Sequence, residues 1–320
     1  MTATSEPKLQ RLVADIGGTH ARLALADPDG RRVEQERIYA SGDFPGLEPI
    51  LADYLGAVGR RPAIGCLAVA GPIADDGRRA RFTNLPWAID ADALASRFGL
   101  RRLTLANDFA AAALGITACP PSTLVTLQAG EPVADGPRVV VGAGTGLGCA
   151  LLLPEGPGWR VVPGEGGHMA FGPIDALQGD LWRHLAGELG RVTAESVVSG
   201  PGLERIYRFL APRAQPLSAA DIASQAAAEP AGAAGRALDI FLAAYGAFAG
   251  DLAMTVLARG GVFLAGGIAA RLADRLPGSP FLAAFNAKAE HAALAARMPV
   301  CIATDGALGL RGAALLCEGL

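Results

Sequence analysis

LVADIGGTHARLALAD, residues 12–27, decides how the chain is to be read. Two aliphatic runs, 12–16 and 21–27, flank the turn Gly17-Gly18-Thr19-His20, the pattern of two strands joined as a hairpin. A third strand is expected near 33–40, followed by a helical stretch from Phe44 to Val58. IGCLAVAG (64–71) is a short apolar run between turn residues, the mark of a buried strand. A helix near 90–98 and the strand LTLAN (103–107) complete a β-β-β-α-β-α-β series. The same order then begins again. VVVGAG (139–144) and GCALLLP (148–154) flank Thr145-Gly146-Leu147, and a third strand is expected near 159–163. Helices are expected over roughly 175–189 and 218–258. GVFLAGG (261–267) reads as a buried strand ending in paired glycines, followed by a helix, the strand VCIAT (300–304) and a last helix over 307–317.

Two rounds of three strands followed by alternating helix and strand imply two related α/β lobes, each with one glycine hairpin. The expected boundary lies near residue 110. A smaller lobe of residues 1–110 is completed by the C-terminal helix, 305–320, and a larger lobe spans 111–304. A small-molecule site is expected in the cleft between lobes.

Composition narrows the function. Of 320 residues, 51% are hydrophobic and 18% charged, which suits a folded chain rather than a disordered one. The net charge is -3 and the only lysines are Lys8 and Lys288. No basic run offers a surface for nucleic acid. Five scattered cysteines without a CxxC pair argue against a disulfide framework and a structural zinc site, and fit a reducing, cytoplasmic setting. The first ten residues have no apolar core of a secretory signal. Residues 240–258 are apolar, yet Asp251 lies inside them and Arg259 closes them, so a buried core helix is expected rather than a membrane span.

The motifs carry the chemistry. In Asp15-Ile16-Gly17-Gly18-Thr19 the glycines permit close backbone approach to a phosphate, Thr19 adds a donor, and Asp15 can hold a hydrated Mg²⁺. A plain hairpin whose glycines supply positive φ explains the same residues equally well. Gly142 to Gly148 repeats the arrangement around Thr145. It lacks the lysine of a Walker loop and the following helix of a dinucleotide-binding turn. Gly266-Gly267 closes a strand and opens a helix, which offers either a flat seat for adenosine or ordinary close packing. Asn107-Asp108 stands where LTLAN gives way to FAAAALGI. Asp108 is expected to cap that helix, and the same position puts a carboxylate at the mouth of a strand. Glu165 and His168 bracket two glycines in GEGGH (164–168) and offer an acceptor and a donor for vicinal hydroxyls. Thr193 is expected to cap a helix with Glu195 in its first turn. Asn84 reads as a turn residue.

Taken in order, Asp15 to Thr19, Asn107-Asp108-Phe109, Gly142 to Gly148, Gly164 to His168 and Leu264 to Ile268 resemble the bacterial glucokinase family, within the actin/hexokinase/Hsp70-like superfamily. The likeness runs from about Leu12 to the last helix. It implies a two-lobed, duplicated actin-like ATPase fold of ribonuclease H-like motifs. It implies an ATP-dependent kinase acting on the 6-hydroxyl of glucose. Asp108 would then take the hydroxyl proton, with Asn107, Glu165, His168 and Glu195 on the sugar and Asn84 near it. Ala14, Asp15, Ile16, Gly17, Gly18, Thr19, Gly144, Thr145, Gly266 and Gly267 would hold ATP, with Mg²⁺ near Asp15 through water. The resemblance also implies a homodimer. One position departs from the family: His20 stands where asparagine usually follows Gly-Gly-Thr, which bears on donor choice. A kinase for another hexose, or one using ADP or polyphosphate, keeps the class. A sugar-sensing regulator on the same fold expects an added helix-turn-helix or a cysteine-rich zinc motif. The eleven residues before the first strand leave no room for the first, and the second is missing.

Overall fold

The computed structural model describes residues 10–82 and 85–317. They form two compact units. One takes the described residues up to Thr123, together with Gly158–Val161 and the chain from Asp305; the other takes Leu124–Pro157 and Val162–Thr304.

The first unit is built on β1 (Arg11–Ile16), β2 (His20–Ala26), β3 (Val33–Ala40), β4 (Ile64–Val69) and a later strand, with helix α1 (Leu47–Val58) between β3 and β4. A small hairpin, β5 (Arg79–Arg81) and β6 (Ala88–Asp90), and helix α2 (Ala91–Phe98) lead into β7 (Arg102–Asn107) and helix α3 (Asp108–Gly115). The sheet order is β3-β2-β1-β4-β7. β1 runs antiparallel to β2 and parallel to β4, which runs parallel to β7. Ile16 therefore pairs with Val69, and Val69 with Asn107, so the carboxyl ends of three parallel strands share one edge. In open α/β sheets that edge is where ligands bind.

α3 packs on the C-terminal helix, Leu308–Leu316, with the two backbones in close approach at two glycines. A Cβ on Gly312 would run into the carbonyl oxygen of Ala111, and one on Gly115 into that of Leu308. Two further groups tie this helix to the start of the chain. Arg11 Nη1 donates to the carbonyls of Pro28 at 3.1 Å and Ala314 at 2.6 Å. Buried Arg311 bonds Asp305 at 2.5 Å and the carbonyls of Gly30 and Arg31 at 3.0 and 2.6 Å.

The second sheet contains β8 (Leu124–Gln128), β9 (Arg138–Ala143), β10 (Leu147–Glu155), β11 (Gly158–Gly164), β12 (Gly261–Ala265) and β13 (Val300–Ala303) in the order β11-β10-β9-β12-β13-β8, all in the second unit except the start of β11. The second unit's helices are α4 (Ala176–Leu189), α5 (Ala194–Val197), α6 (Gly200–Leu210), α7 (Ala219–Ala228), α8 (Ala233–Val256), α9 (Gly266–Arg271), α10 (Pro280–Asn286) and α11 (Ala292–Ala295). β9 is antiparallel to β10 and parallel to β12, which is parallel to β13, as in the first unit. β8 adds an antiparallel edge strand.

Several local readings differ from the sequence expectation. The stretch 218–258 is two helices, because Pro230 supplies no N–H and forces Glu229 before it to an extended φ of -135°. The β5–β6 hairpin, β8 and α6 are additional elements. Asn84 lies outside the described residues. α8 is the one described helix long and apolar enough to cross a membrane, and most of it is buried against the second unit's own core. Asp251, at an exposed position on α8, pairs with Lys288 at 2.6 Å.

Because the atoms that a Cβ on Gly312 would meet are the backbone of Ala111, which cannot swing aside as a side chain can, Gly312→Ala is expected to destabilise the protein by about 2 kcal/mol or more. A urea denaturation midpoint shared with the parent protein would show that the helices have room to separate.

Candidate active site

In the first unit the glycine turn after β1 closes with Gly17 N–H donating to His20 O at 2.9 Å. Gly18, Thr19 and His20 are exposed. Buried Ser41 braces the turn from behind: its N–H reaches Thr19 O at 2.9 Å and its Oγ reaches Gly17 O at 3.0 Å. Ala14 and Ile16 point into the core with no exposed surface, while Asp15 between them is half-buried at the sheet's ligand edge. The carboxylate of Asp15 is accommodated because residue 309 of the C-terminal helix is glycine; a Cβ there would lie 2.6 Å from Asp15 Oδ2.

Asp15 is electrostatically loaded. Burial, then the nearby Asp108 carboxylate, raises its pKa from 3.8 to about 6; Arg22, its neighbour across the hairpin, pulls the other way, and Glu36 adds to the rise. Arg22 is itself held by Glu36, at 2.9 and 2.6 Å, and by the carbonyl of Gly306.

Asn107, not Asp108, caps α3. Asn107 Oδ1 accepts from Ala110 N–H at 3.0 Å, and Asp108 is the first residue inside the helix, its Oδ1 accepting from Phe109 N–H at 2.8 Å. The strand ends one residue earlier than a cap at Asp108 would require, and asparagine caps as well as aspartate. The correction matters for chemistry: the cap function consumes the Asn107 carbonyl and leaves its amide N–H₂ as the polar end toward the sheet edge. The structure thus brings Asp15, Asn107 and Asp108 together at adjoining strand ends.

In the second unit the turn Gly144-Thr145-Gly146 joins β9 and β10, with Gly144 N–H donating to Gly146 O at 2.8 Å. Thr145 is exposed at its tip. Glu165 and His168 stand on one short turn, both side chains exposed, with His168 Nδ1 3.6 Å from Glu165 Oε2. That turn rests on β10, since a Cβ on Gly167 would collide with the carbonyl of Leu147 and one on Gly166 would lie 2.5 Å from Cys149 Sγ. Glu195 follows the Thr193 cap of α5, in which Ser196 completes a reciprocal capping box. Its half-buried carboxylate turns to the hairpin, Oε2 accepting from Leu147 N–H at 2.7 Å. Glu165, His168 and Glu195 therefore gather at the start of β10. Gly266 and Gly267 are exposed at the head of α9, Gly266 at φ 85°.

Ser41, Arg22, Gly309 and Leu147 are the supporting residues that the sequence reading missed. Nothing local marks them, for each acts on a partner distant in sequence except Arg22, whose place follows from the hairpin register. Among the described residues no group of three or more His, Cys, Asp or Glu side chains is arranged to hold a metal ion.

Two glycine turns carrying threonines, and paired carboxylates at the ligand edge of a mixed sheet, are the equipment of an α/β phosphotransferase. Comparison with known proteins names the family. The glucokinase family model matches residues 12–319. A glucokinase from Chromobacterium violaceum is 37% identical over 316 residues, covering 95% of this chain and 88% of that protein. The crystal structure of a glucokinase from an Antarctic psychrotroph superposes with a TM-score of 0.88 at 33% identity, covering 97% of this chain and 99% of that one. A glucokinase from Balamuthia mandrillaris in complex with glucose has a TM-score of 0.81 at 24% identity, covering 99% and 96%, and shares the fold. The chain belongs to the glucokinase family, and so to the ATP-dependent hexose kinases with an actin-like ATPase fold.

The loaded carboxylate makes stability depend on pH. Between 3.8 and about 6 the unfolded chain has released the Asp15 proton while the folded chain keeps it. Stability therefore falls as pH rises through that window and stays lower above it, by up to about 3 kcal/mol. Asp15→Asn is expected to flatten this dependence and raise stability at pH 8 more than at pH 4, read from denaturant unfolding at both pH values.

Proposed function

We propose that the chain transfers the γ-phosphoryl group of ATP to the 6-hydroxyl of D-glucose, giving glucose 6-phosphate and ADP. The observation that carries this reading is the position of Asp108: a half-buried carboxylate following β7 at the sheet edge where β1 also ends, and near enough to Asp15 to raise its pKa. A sugar alcohol is far less acidic than a carboxylic acid, so Asp108 makes no free alkoxide in advance. It orients the hydroxyl and accepts its proton as the O6–phosphorus bond forms and the bond from phosphorus to the β,γ-bridging oxygen breaks. The electron pair of that bond leaves on ADP.

The remaining groups divide by chemistry. Asn107 offers amide donors to ring hydroxyls, and the adjacent Glu165 and His168 offer an acceptor and a donor to a vicinal pair. Glu195 has one carboxylate oxygen on Leu147 and a second for the sugar. The exposed turns Gly17-Gly18-Thr19 and Gly144-Thr145 serve the phosphates by N–H and hydroxyl donation. The exposed glycines Gly266 and Gly267 serve adenosine, and Ala14 and Ile16 fix the strand behind the first turn. The duplicated ribonuclease H-like reading is supported by the matching strand order of the two sheets.

Mg²⁺ fits this donor set. It takes one or two carboxylates together with phosphate oxygens and water, and Asp15 is a single carboxylate raised in pKa by burial and a like charge. A cation beside it lowers that pKa and offsets the repulsion between two carboxylates and a polyphosphate. Asp15 would hold the ion through water, and the ion would neutralise phosphate charge. The reading extends to a cytoplasmic enzyme acting as a homodimer.

A coupled assay for hexose 6-phosphate with a panel of donors and hexoses tests the assignment; activity confined to another sugar or to ADP would replace it. Asp108→Asn is expected to lower kcat by about 10²-fold or more with ATP-analogue binding retained. Turnover near that of the parent protein removes Asp108 from the role of base. Glu165→Gln and His168→Ala are expected to raise the KM for glucose by about tenfold with little change for ATP. A change confined to the KM for ATP moves both residues to the nucleotide.

A further inference from the structure

We propose that Glu195 is a positioning residue for the phosphate turn Gly144–Leu147, so that sugar contact and nucleotide grip depend on one carboxylate. The inference rests on the kinase reading above and concerns the second unit alone. Its starting point is how the turn is held. Inside it Gly144 N–H donates to Gly146 O, and the Gly144 carbonyl and the Leu147 N–H take partners outside the turn. Both find them in one short segment, 195–200. Gly200 N–H donates to Gly144 O at 2.8 Å, and Glu195 Oε2 accepts from Leu147 N–H at 2.7 Å. The segment is stiff in turn. Thr193 and Ser196 cap α5 reciprocally, Ser199 Oγ donates to Glu195 O at 2.8 Å, and the same hydroxyl accepts from Gly202 N–H at 3.0 Å.

Two features show that the contact is built for a carboxylate at close range. A Cβ on Gly146 would lie 2.6 Å from Glu195 Oε2, so the bare glycine leaves the carboxylate its place against the turn, and any side chain there would displace it. The peptide of Leu147 is also gripped on its other side, where Gly167 of the Glu165–His168 turn packs on its carbonyl. The sugar groups therefore surround the peptide that ends the phosphate turn. A charge-assisted hydrogen bond of this kind is among the stronger ones available to a backbone N–H. Its loss frees the turn to sample conformations in which the Thr145 hydroxyl and the neighbouring N–H groups no longer converge, and binding then bears the cost of ordering them.

Binding without turnover separates this role from sugar contact. The probe is a non-hydrolysable ATP analogue with Mg²⁺, titrated by calorimetry in the absence of sugar, with thermal melting as the control for folding. Glu195→Ala is expected to weaken analogue binding about tenfold, equivalent to about 1.4 kcal/mol. Glu195→Gln keeps an amide oxygen for Leu147 N–H and is expected to restore it to within about twofold. Conversely, Gly146→Ala displaces the Glu195 carboxylate from the turn side. It is expected to weaken glucose binding about tenfold, measured with no nucleotide present. Analogue binding by Glu195→Ala equal to that of the parent protein overturns the proposal. If Glu195→Ala does not fold, unchanged glucose affinity in Gly146→Ala overturns it instead. A parent protein that binds the analogue but not glucose defeats the substrate assignment and leaves the comparison of the Glu195 variants standing.

Discussion

Close backbone approach is the constraint on which both units depend. A turn that presents N–H groups without side chains in the way has little of its own to hold it in shape. Each turn here is consequently braced from a distant point of the chain. Ser41, just past β3, fixes the first through the carbonyls of Gly17 and Thr19. Glu195 and Gly200 fix the second through Leu147 N–H and Gly144 O. The same economy of side chains recurs where α3 meets the C-terminal helix: Gly115 and Gly312 let two backbones touch, and α3 is the helix that Asp108 opens.

How much of this was legible follows from the range over which each signal acts. The glycine turns, the strand on either side of them and the Thr193 cap are decided by neighbours in sequence, and residues 12–27 and 139–154 display them openly. The strand register, which sets Asp15 level with Ala68 and Ala106 two residues before Asp108, came only with the folded sheet. The identity of the α3 cap did not follow, because Asn107 and Asp108 are both good capping residues and only the point where the strand ends chooses between them. The break at Pro230 was readable locally, yet the apolar composition on both sides outweighed it. The bond from Glu195 to Leu147 spans 48 residues and has no sequence signature. Nor has the room that Gly309 leaves for Asp15, which depends on a helix nearly 300 residues away.

Family membership and local geometry answer different questions. The likeness over residues 12–319 establishes which chemistry the chain belongs to. It leaves open why an asparagine precedes Asp108, and the cap supplies a physical answer. Committing the Asn107 carbonyl to Ala110 N–H sets the tilt of the first turn of α3, and with it the direction of the neighbouring carboxylate. On the function proposed above, one residue would thereby position the base and still keep amide donors for the sugar.

The charge arrangement of the first unit runs against stability in a way that function explains. Asp15 is half-buried beside another carboxylate, with Arg22 drawn partly away by Glu36. A protein optimised for the empty state would remove one acid or free the arginine. Retaining both acids leaves a local negative potential that Arg22 only partly offsets. On the function proposed above, a polyphosphate carrying a divalent ion would relieve it, whereas the free polyphosphate would meet repulsion from the same groups.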